Sequence, residues 1–206
     1  MPQELRRRGR PPRMEIDEIR ARAIDVIARE GYGCLTMGTI AEEVGISLRT
    51  LHRHFPAKAD LVWAPLEPTF AHLRRALENA PADLSVLGAI GAATERSMEE
   101  QGQTEAMLRT RLILIATNPD LQEYRSDAFR RWCDELVSFA AQRTGQAPDD
   151  LLPLALGRAA QGTIMAALTW WANQEEEVET APASAIRKAL KELEQHVQGT
   201  HPTTHR

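Results

Sequence analysis

Strand signals are missing from this sequence. No stretch alternates apolar and polar residues for long enough to read as a half-buried strand, so the pattern argues against any sheet-based fold. Cysteine is scarce: Cys34 and Cys133 lie far apart and form no CxxC pair, which excludes a disulfide scaffold and a zinc ribbon and fits a reducing cytoplasm. Aromatic residues make up only 5% of the chain. No nucleophile elbow, P-loop or HExxH motif occurs, and no paired acids stand in an apolar setting, so enzyme chemistry is not indicated. His72 and His196 lack ligand spacing with a cysteine or an acid, and the tail pair His201 and His205 reads as solvated, so neither a metal nor a cofactor is expected. The N-terminus is polar and basic, unlike a signal peptide. The most apolar region, Leu151–Ala172, is interrupted by Arg158 and Gln161, so no membrane span is expected.

What is abundant is alanine and leucine, and with 43% hydrophobic and 26% charged residues the chain reads as a helical globule. At 206 residues it has room for one large domain or two small ones. Its charge is uneven. Residues 1–60 carry 11 Lys/Arg against 9 Asp/Glu and the remainder 14 against 20, so a net +2 head precedes a net −6 body. That asymmetry suggests that only the head meets a polyanion.

"MPQELRRRGRPPR" holds three prolines and no apolar period, and reads as a disordered basic arm over 1–13. Ile16, Ile19, Ala23 and Ile27 mark a first helix ending at Gly31. Thr36 is placed to cap a short helix, Met37 to Val44, with Ile40, Ala41 and Val44 inward and Gly45 as its stop. Ser47 caps the next, which Pro56 ends. On that helix Leu48, Leu51 and Phe55 form an apolar stripe, while Arg49, Thr50, His52, Arg53 and His54 offer cations and donors with no acid among them. Further on, the pattern predicts a helix over 57–79 with Leu61, Leu66, Phe70, Leu73 and Leu77 inward and a kink or break at Pro65 and Pro68. Four more helices follow: one opened by Asp83, one over "TEAMLRTRLILIATNP", one opened by Asp120 or Ser126 and running to Thr144, and one begun by Asp149–Asp150 and ending at Asn173. A last begins at Pro182, and 199–206 is a loose tail. The expectation is an all-α protein of about nine helices. A three-helix head at 14–60 contains a helix-turn-helix, and a larger helical body spans 61–198. The second helix of such a pair enters the major groove, which suits the cationic face of Ser47–Phe55.

The run "TMGTIAEEVGISLRTLHRHFPAKADLV" resembles the TetR family of transcriptional regulators. Thr36, Ile40–Ala41, Gly45, Ser47, Thr50–Leu51, His54–Phe55, Pro56, Lys58 and Leu61 match the family pattern over about 50 residues. The chain departs from it at His52, where the family usually has a Tyr or Phe that often touches a phosphate. "LRTRLILIATNPDLQEY" and "APDDLLPLALGRAAQGTIMAALTWW" are similar, more weakly, to C-terminal domains of actinobacterial members associated with acyl-CoA-like ligands. The resemblance implies a cytoplasmic, dimeric repressor, not an enzyme, released from its double-stranded DNA operator by a small molecule. An activator, or a constitutive DNA-binding protein without a ligand, remains an alternative.

Arg49, Thr50, His52 and Arg53 are the candidates for reaching the groove, and Arg49 and Arg53 lie one turn apart on one face. Either arginine suits a guanine or a phosphate. Thr36 and Ser47, at helix N-termini, and Lys58 are phosphate candidates. Arg8 and Arg10 lie in "RGRP", which fits either a minor-groove arm or a nonspecific basic tail. Ligand-pocket candidates are Phe70, Arg109, Leu112, Trp132, Leu136, Gln161, Met165 and Trp170, apolar or convergent polar groups on the middle helices. Ala159, Ala160, Gly162, Ala166, Ala167, Ala185 and Ala189 allow close helix packing; in the family these last two long helices form a four-helix interface with a second chain.

Overall fold

Glycines and hydroxyl caps set the limits of the first helices. The computed structural model of the chain describes residues 15–63, 67–99, 104–124, 127–174 and 181–197, with the side chains of 67–70, 99, 128 and 197 outside that description. Arg8, Arg10, Pro65 and the Phe70 side chain therefore lie outside the described residues. Helix α1 (Ile16–Glu30) stops at Gly31, whose φ of 89° few other residues adopt. A 3-10 turn over Tyr32–Cys34 leads to α2 (Met37–Val44), and Gly45 in the left-handed conformation closes it, donating to the carbonyls of Ala41 and Glu42. α3 spans Leu48–His54. α2 and α3 begin with the same device. Thr36 Oγ1 accepts from the Thr39 N–H and Ser47 Oγ from the Thr50 N–H, each at 3.1 Å, and each cap hydroxyl also pairs with the hydroxyl of the residue it caps. Such a cap contributes about 1 kcal/mol.

These three helices bury Ile19, Ala23, Ile24 and Ile27 with Ile40, Ala41, Val44, Leu51 and Phe55. Two residues expected on the inner stripes are not inside: Ile16 is 43% and Leu48 44% exposed. Each is the first residue of its helix. Cα–Cβ bonds tilt toward the helix N-terminus, so a side chain there points past the end of the packed layer.

The chain separates into two compact units, with the boundary between Pro56 and Ala57. The second unit holds α4 (Lys58–Trp63), α5 (Glu67–Glu78), α6 (Val86–Glu99), α7 (Glu105–Thr117), α8 (Pro119–Glu123), α9 (Asp127–Thr144), α10 (Leu151–Ala172) and α11 (Pro182–Val197). All regular structure among the described residues is helical, in eleven α-helices where about nine were expected. The two extra come from proline. The stretch expected as one helix over 57–79 forms α4 and α5, with Pro68 in the first turn of α5, where a missing N–H is harmless. Pro119 starts the short α8 in the same way. The sixth helix opens at Val86 instead of Asp83, because the Ser85 hydroxyl accepts from the Gly88 N–H at 3.0 Å.

α10 packs along α9 and α11, and α6 along α5 and α11. By length and apolarity alone α10 would pass for a membrane span, which the sequence pattern did not suggest. It buries Pro153, Gly157, Ala160, Ile164, Ala167 and Trp171, spaced three and four apart along one face. At Gly157 a Cβ would lie 2.6 Å from Val137 Cγ2 and 2.8 Å from that residue's backbone. Gly157→Ala is accordingly expected to force α9 and α10 apart and remove about 1–3 kcal/mol, measured by urea unfolding.

Candidate nucleic-acid interface and effector cavity

In the first unit α3 carries the exposed side chains of Arg49, His52 and Arg53, with Thr50 half-buried and no acid in the helix. Arg53 is not loose. Its Nη2 lies 3.1 Å from His54 Nε2, and its Nε donates to the same atom at 3.4 Å. No ion pair or hydrogen bond holds Arg49 among the described residues, so its guanidinium is available to a partner. Arg29 is different: the hydrogen bond to Glu30, and then Glu43, favour its charged form and occupy its donors. Thr36 and Ser47 are exposed and serve as caps. Lys58 is half-buried at the start of α4, in the second unit. Cys34 is exposed in its turn and Cys133 is buried.

The second unit holds a partly open cavity of about 60 Å³. Its wall comprises Trp63 of α4, Leu73 of α5, Thr94, Ser97 and Met98 of α6, and Leu108 and Leu112 of α7. Phe129 and Trp132 of α9, Ile164, Met165 and Leu168 of α10, and Ile186 of α11 complete it. Among the described lining residues the only hydroxyls are two, and both donate inward to their own helix: Thr94 Oγ1 to the Ile90 carbonyl at 2.8 Å, Ser97 Oγ to the Thr94 carbonyl at 2.7 Å. The space is therefore built for hydrocarbon. Its volume is well below the roughly 300–1,000 Å³ typical of ligand pockets.

Of the pocket candidates, Leu112, Trp132 and Met165 meet in this wall. Leu136 is fully buried elsewhere in the core, Gln161 is half-buried, and Trp170 is 51% exposed on the other side of α10. None of these three lines the cavity. Nor does Arg109. Its Nη1 donates to the carbonyls of Trp171, Ala172 and Gln174 at 2.9, 3.1 and 2.8 Å, and its guanidinium lies 4.3 Å from the Trp171 ring centroid. It caps the C-terminus of α10, where a cation meets the last carbonyls and the negative end of the helix dipole.

Four features escaped the sequence. Trp63 lines the cavity, donates through Nε1 to the Leu121 carbonyl at 3.1 Å, and packs edge-on against Phe129 with ring centroids 5.0 Å apart. Phe129 in turn lies 5.2 Å from Trp132. Tyr124 donates to Asp60 Oδ1 at 2.6 Å, while Asp60 Oδ2 accepts from the Ala57 N–H at 2.8 Å. Arg111 is fully buried in α7. The tryptophan carried the only available signal, as a large aromatic in a short helix bounded by proline.

A helix-turn-helix head followed by a larger helical body defines a class of DNA-binding transcriptional regulator, and the sequence comparisons agree. A family model described as the MftR C-terminal domain matches residues 84–198, and one for bacterial regulatory proteins of the tetR family matches residues 19–64. The chain belongs to the TetR family of DNA-binding transcriptional regulators. It is 26% identical over 153 residues to a proposed mycofactocin biosynthesis transcriptional regulator, MftR of Mycobacterium tuberculosis, covering 74% of this chain and 77% of that one. It is 29% identical over 152 residues to the HTH-type transcriptional regulator TcmR of Streptomyces glaucescens, covering 69% of this chain and 66% of that one. Two solved structures share the fold. Thermus thermophilus FadR, a TetR-family repressor in complex with lauroyl-CoA, matches with a TM-score of 0.53 at 16% identity over 92% of this chain and 96% of that one. A proposed tetR-family regulator from Shewanella sp. PV-4 matches with a TM-score of 0.54 at 17% identity over 90% and 98%.

Proposed function

We propose that this regulator is a cytoplasmic homodimeric repressor whose operator is released when a small apolar or acyl-CoA-like effector enters the cavity of the second unit. The observation that carries the reading is Trp63. It stands in the cavity wall on α4, and α4 begins two residues after Pro56, where the first unit ends. A cavity of about 60 Å³ cannot take an acyl chain with its walls in place. Binding must displace them, and a ligand that fits only the displaced arrangement shifts the population toward it. Movement of Trp63 breaks its bond to Leu121 and strains the Tyr124–Asp60 contact, so the position of α4 changes with occupancy. In the dimer that change spreads the two heads away from their half-site spacing.

On the DNA side Arg49, Thr50, His52 and Arg53 address the groove, Thr36, Ser47 and Lys58 approach phosphates, and Arg8 and Arg10 act as a basic arm. This division corresponds to a head at 14–60 and a body at 61–198. Dimerisation is supported by α10, whose most apolar stretch is only 28% buried against its own chain. Its exposed positions Leu151, Ala155, Ala159, Gly162, Ala166 and Trp170 recur every three to four residues, a face fit for a second helix. The lauroyl-CoA held by Thermus thermophilus FadR supports the ligand class.

The test is fluorescence anisotropy with duplex DNA from upstream of the protein's own gene, over a salt series and then against lauroyl-CoA, lauric acid and coenzyme A separately. Binding is expected to weaken steeply with salt, as phosphate contacts require, and to be reversed by lauroyl-CoA but not by coenzyme A alone. Binding that no acyl compound changes would remove the effector from the reading and leave a constitutive DNA-binding protein.

A further inference from the structure

We propose that Leu48 reads the 5-methyl group of a thymine in the major groove, beside Arg49. The periodicity of α3 assigns Leu48 to the core, yet it stands 44% exposed while Leu51 and Phe55 on the same stripe are buried. A single exposed leucine needs no explanation in general. This one occupies the first position of the helix that a helix-turn-helix places in the groove, and the first residues of such a helix are the ones that meet base edges. Its neighbours are donors and cations: Ser47 before it, Arg49 after it, His52 one turn on. An apolar side chain among them matches the one apolar feature that the major groove displays, the thymine methyl, whereas the other base edges there offer hydrogen-bond donors and acceptors. The geometry also separates the arginines. Arg53, near the C-terminal end, is anchored on His54, whereas Arg49 adjoins Leu48 and has no such anchor, so the Leu48–Arg49 pair is the sequence-reading tip and Arg53 a fixed cation behind it.

The inference rests on α3 being the groove helix, and its test separates the two claims. Full-length protein selects its best duplex from a randomised pool, and each thymine of that duplex is then replaced singly by deoxyuridine, which pairs identically and lacks only the methyl. One symmetry-related thymine per half-site is expected to show about a fourfold loss, the value of roughly one methyl group removed from water. Leu48→Ser is expected to bind the thymine and deoxyuridine duplexes equally. Arg49→Ala is expected to weaken both and keep their ratio. Deoxyuridine without effect at every thymine, or a ratio that survives in Leu48→Ser, overturns the assignment of Leu48 while leaving the groove helix standing. A pool that yields no preferred duplex overturns both.

Discussion

Gly162→Arg is expected to leave the protomer folded, to turn the proposed dimer into a monomer, and to weaken operator binding by about 10²–10⁴-fold, the usual gain from linking two heads. A Cβ at Gly162 meets nothing within 4 Å in its own chain. Arginine is also a better helix former than glycine by up to about 1 kcal/mol, so urea unfolding of the protomer should show no loss. The whole effect must then come from outside the protomer. The residue lies midway along the exposed face of α10, where the small residues Ala159, Gly162 and Ala166 would let the helix of the proposed dimer partner come close. A buried, unpaired guanidinium there is not tolerated. Gly157 on the same helix gives the contrast. Its Cβ would meet Val137 inside the protomer, so Gly157→Ala loses stability whatever the oligomeric state. Sedimentation and anisotropy on the two variants separate the faces of α10. A Gly162→Arg protein that still sediments as a dimer would show that α10 does not pair through this face.

Much of the head was legible because its determinants are local. Thr36, Gly45 and Ser47 act within four residues of themselves, and the limits of α2 match the pattern residue for residue. Proline positions were legible too, but not their outcome, since a kink and a break leave the same mark in a sequence. Leu48 and Ile16 show a further limit. Periodicity says which residues share a face but not where the layer beneath that face ends.

The body was less legible because its chemistry is assembled over distance. Arg109 looked like a polar anchor for a ligand, yet its partners are carbonyls 62 to 65 residues further along the chain. Arg111, two positions later, is the arginine that is fully buried, and nothing in "LRTRL" distinguishes the two. Leu112, Trp132 and Met165 are apolar residues on middle helices, a description that fits Leu136 as well; only the packing of α6, α7, α9 and α10 decides which of them faces a cavity.

Trp63→Ala is expected to lose about 3–5 kcal/mol of stability and, under the proposed acyl-CoA release, to lower the effector concentration that frees the DNA by about tenfold or more. The first effect follows from burial: Trp63 is 3% exposed and packs on Phe129, so its removal leaves a hole beside the existing cavity and orphans the Leu121 carbonyl. The second follows from the volume argument. If an effector must push the indole aside to enter, part of its binding energy is consumed in that displacement, and deleting the indole returns it. Because the same change loosens α4, operator affinity without effector should fall as effector affinity rises, the reciprocity that linkage demands of two sites drawing on one equilibrium. Stability loss alone cannot mimic this pattern. Phe139→Ala supplies the comparison, since Phe139 is a buried aromatic of α9 that does not line the cavity. Its loss should destabilise the protein by a similar amount and leave the release midpoint unchanged. Equal midpoints in wild type and Trp63→Ala, or an equal shift in both variants, would sever the link between the cavity and α4.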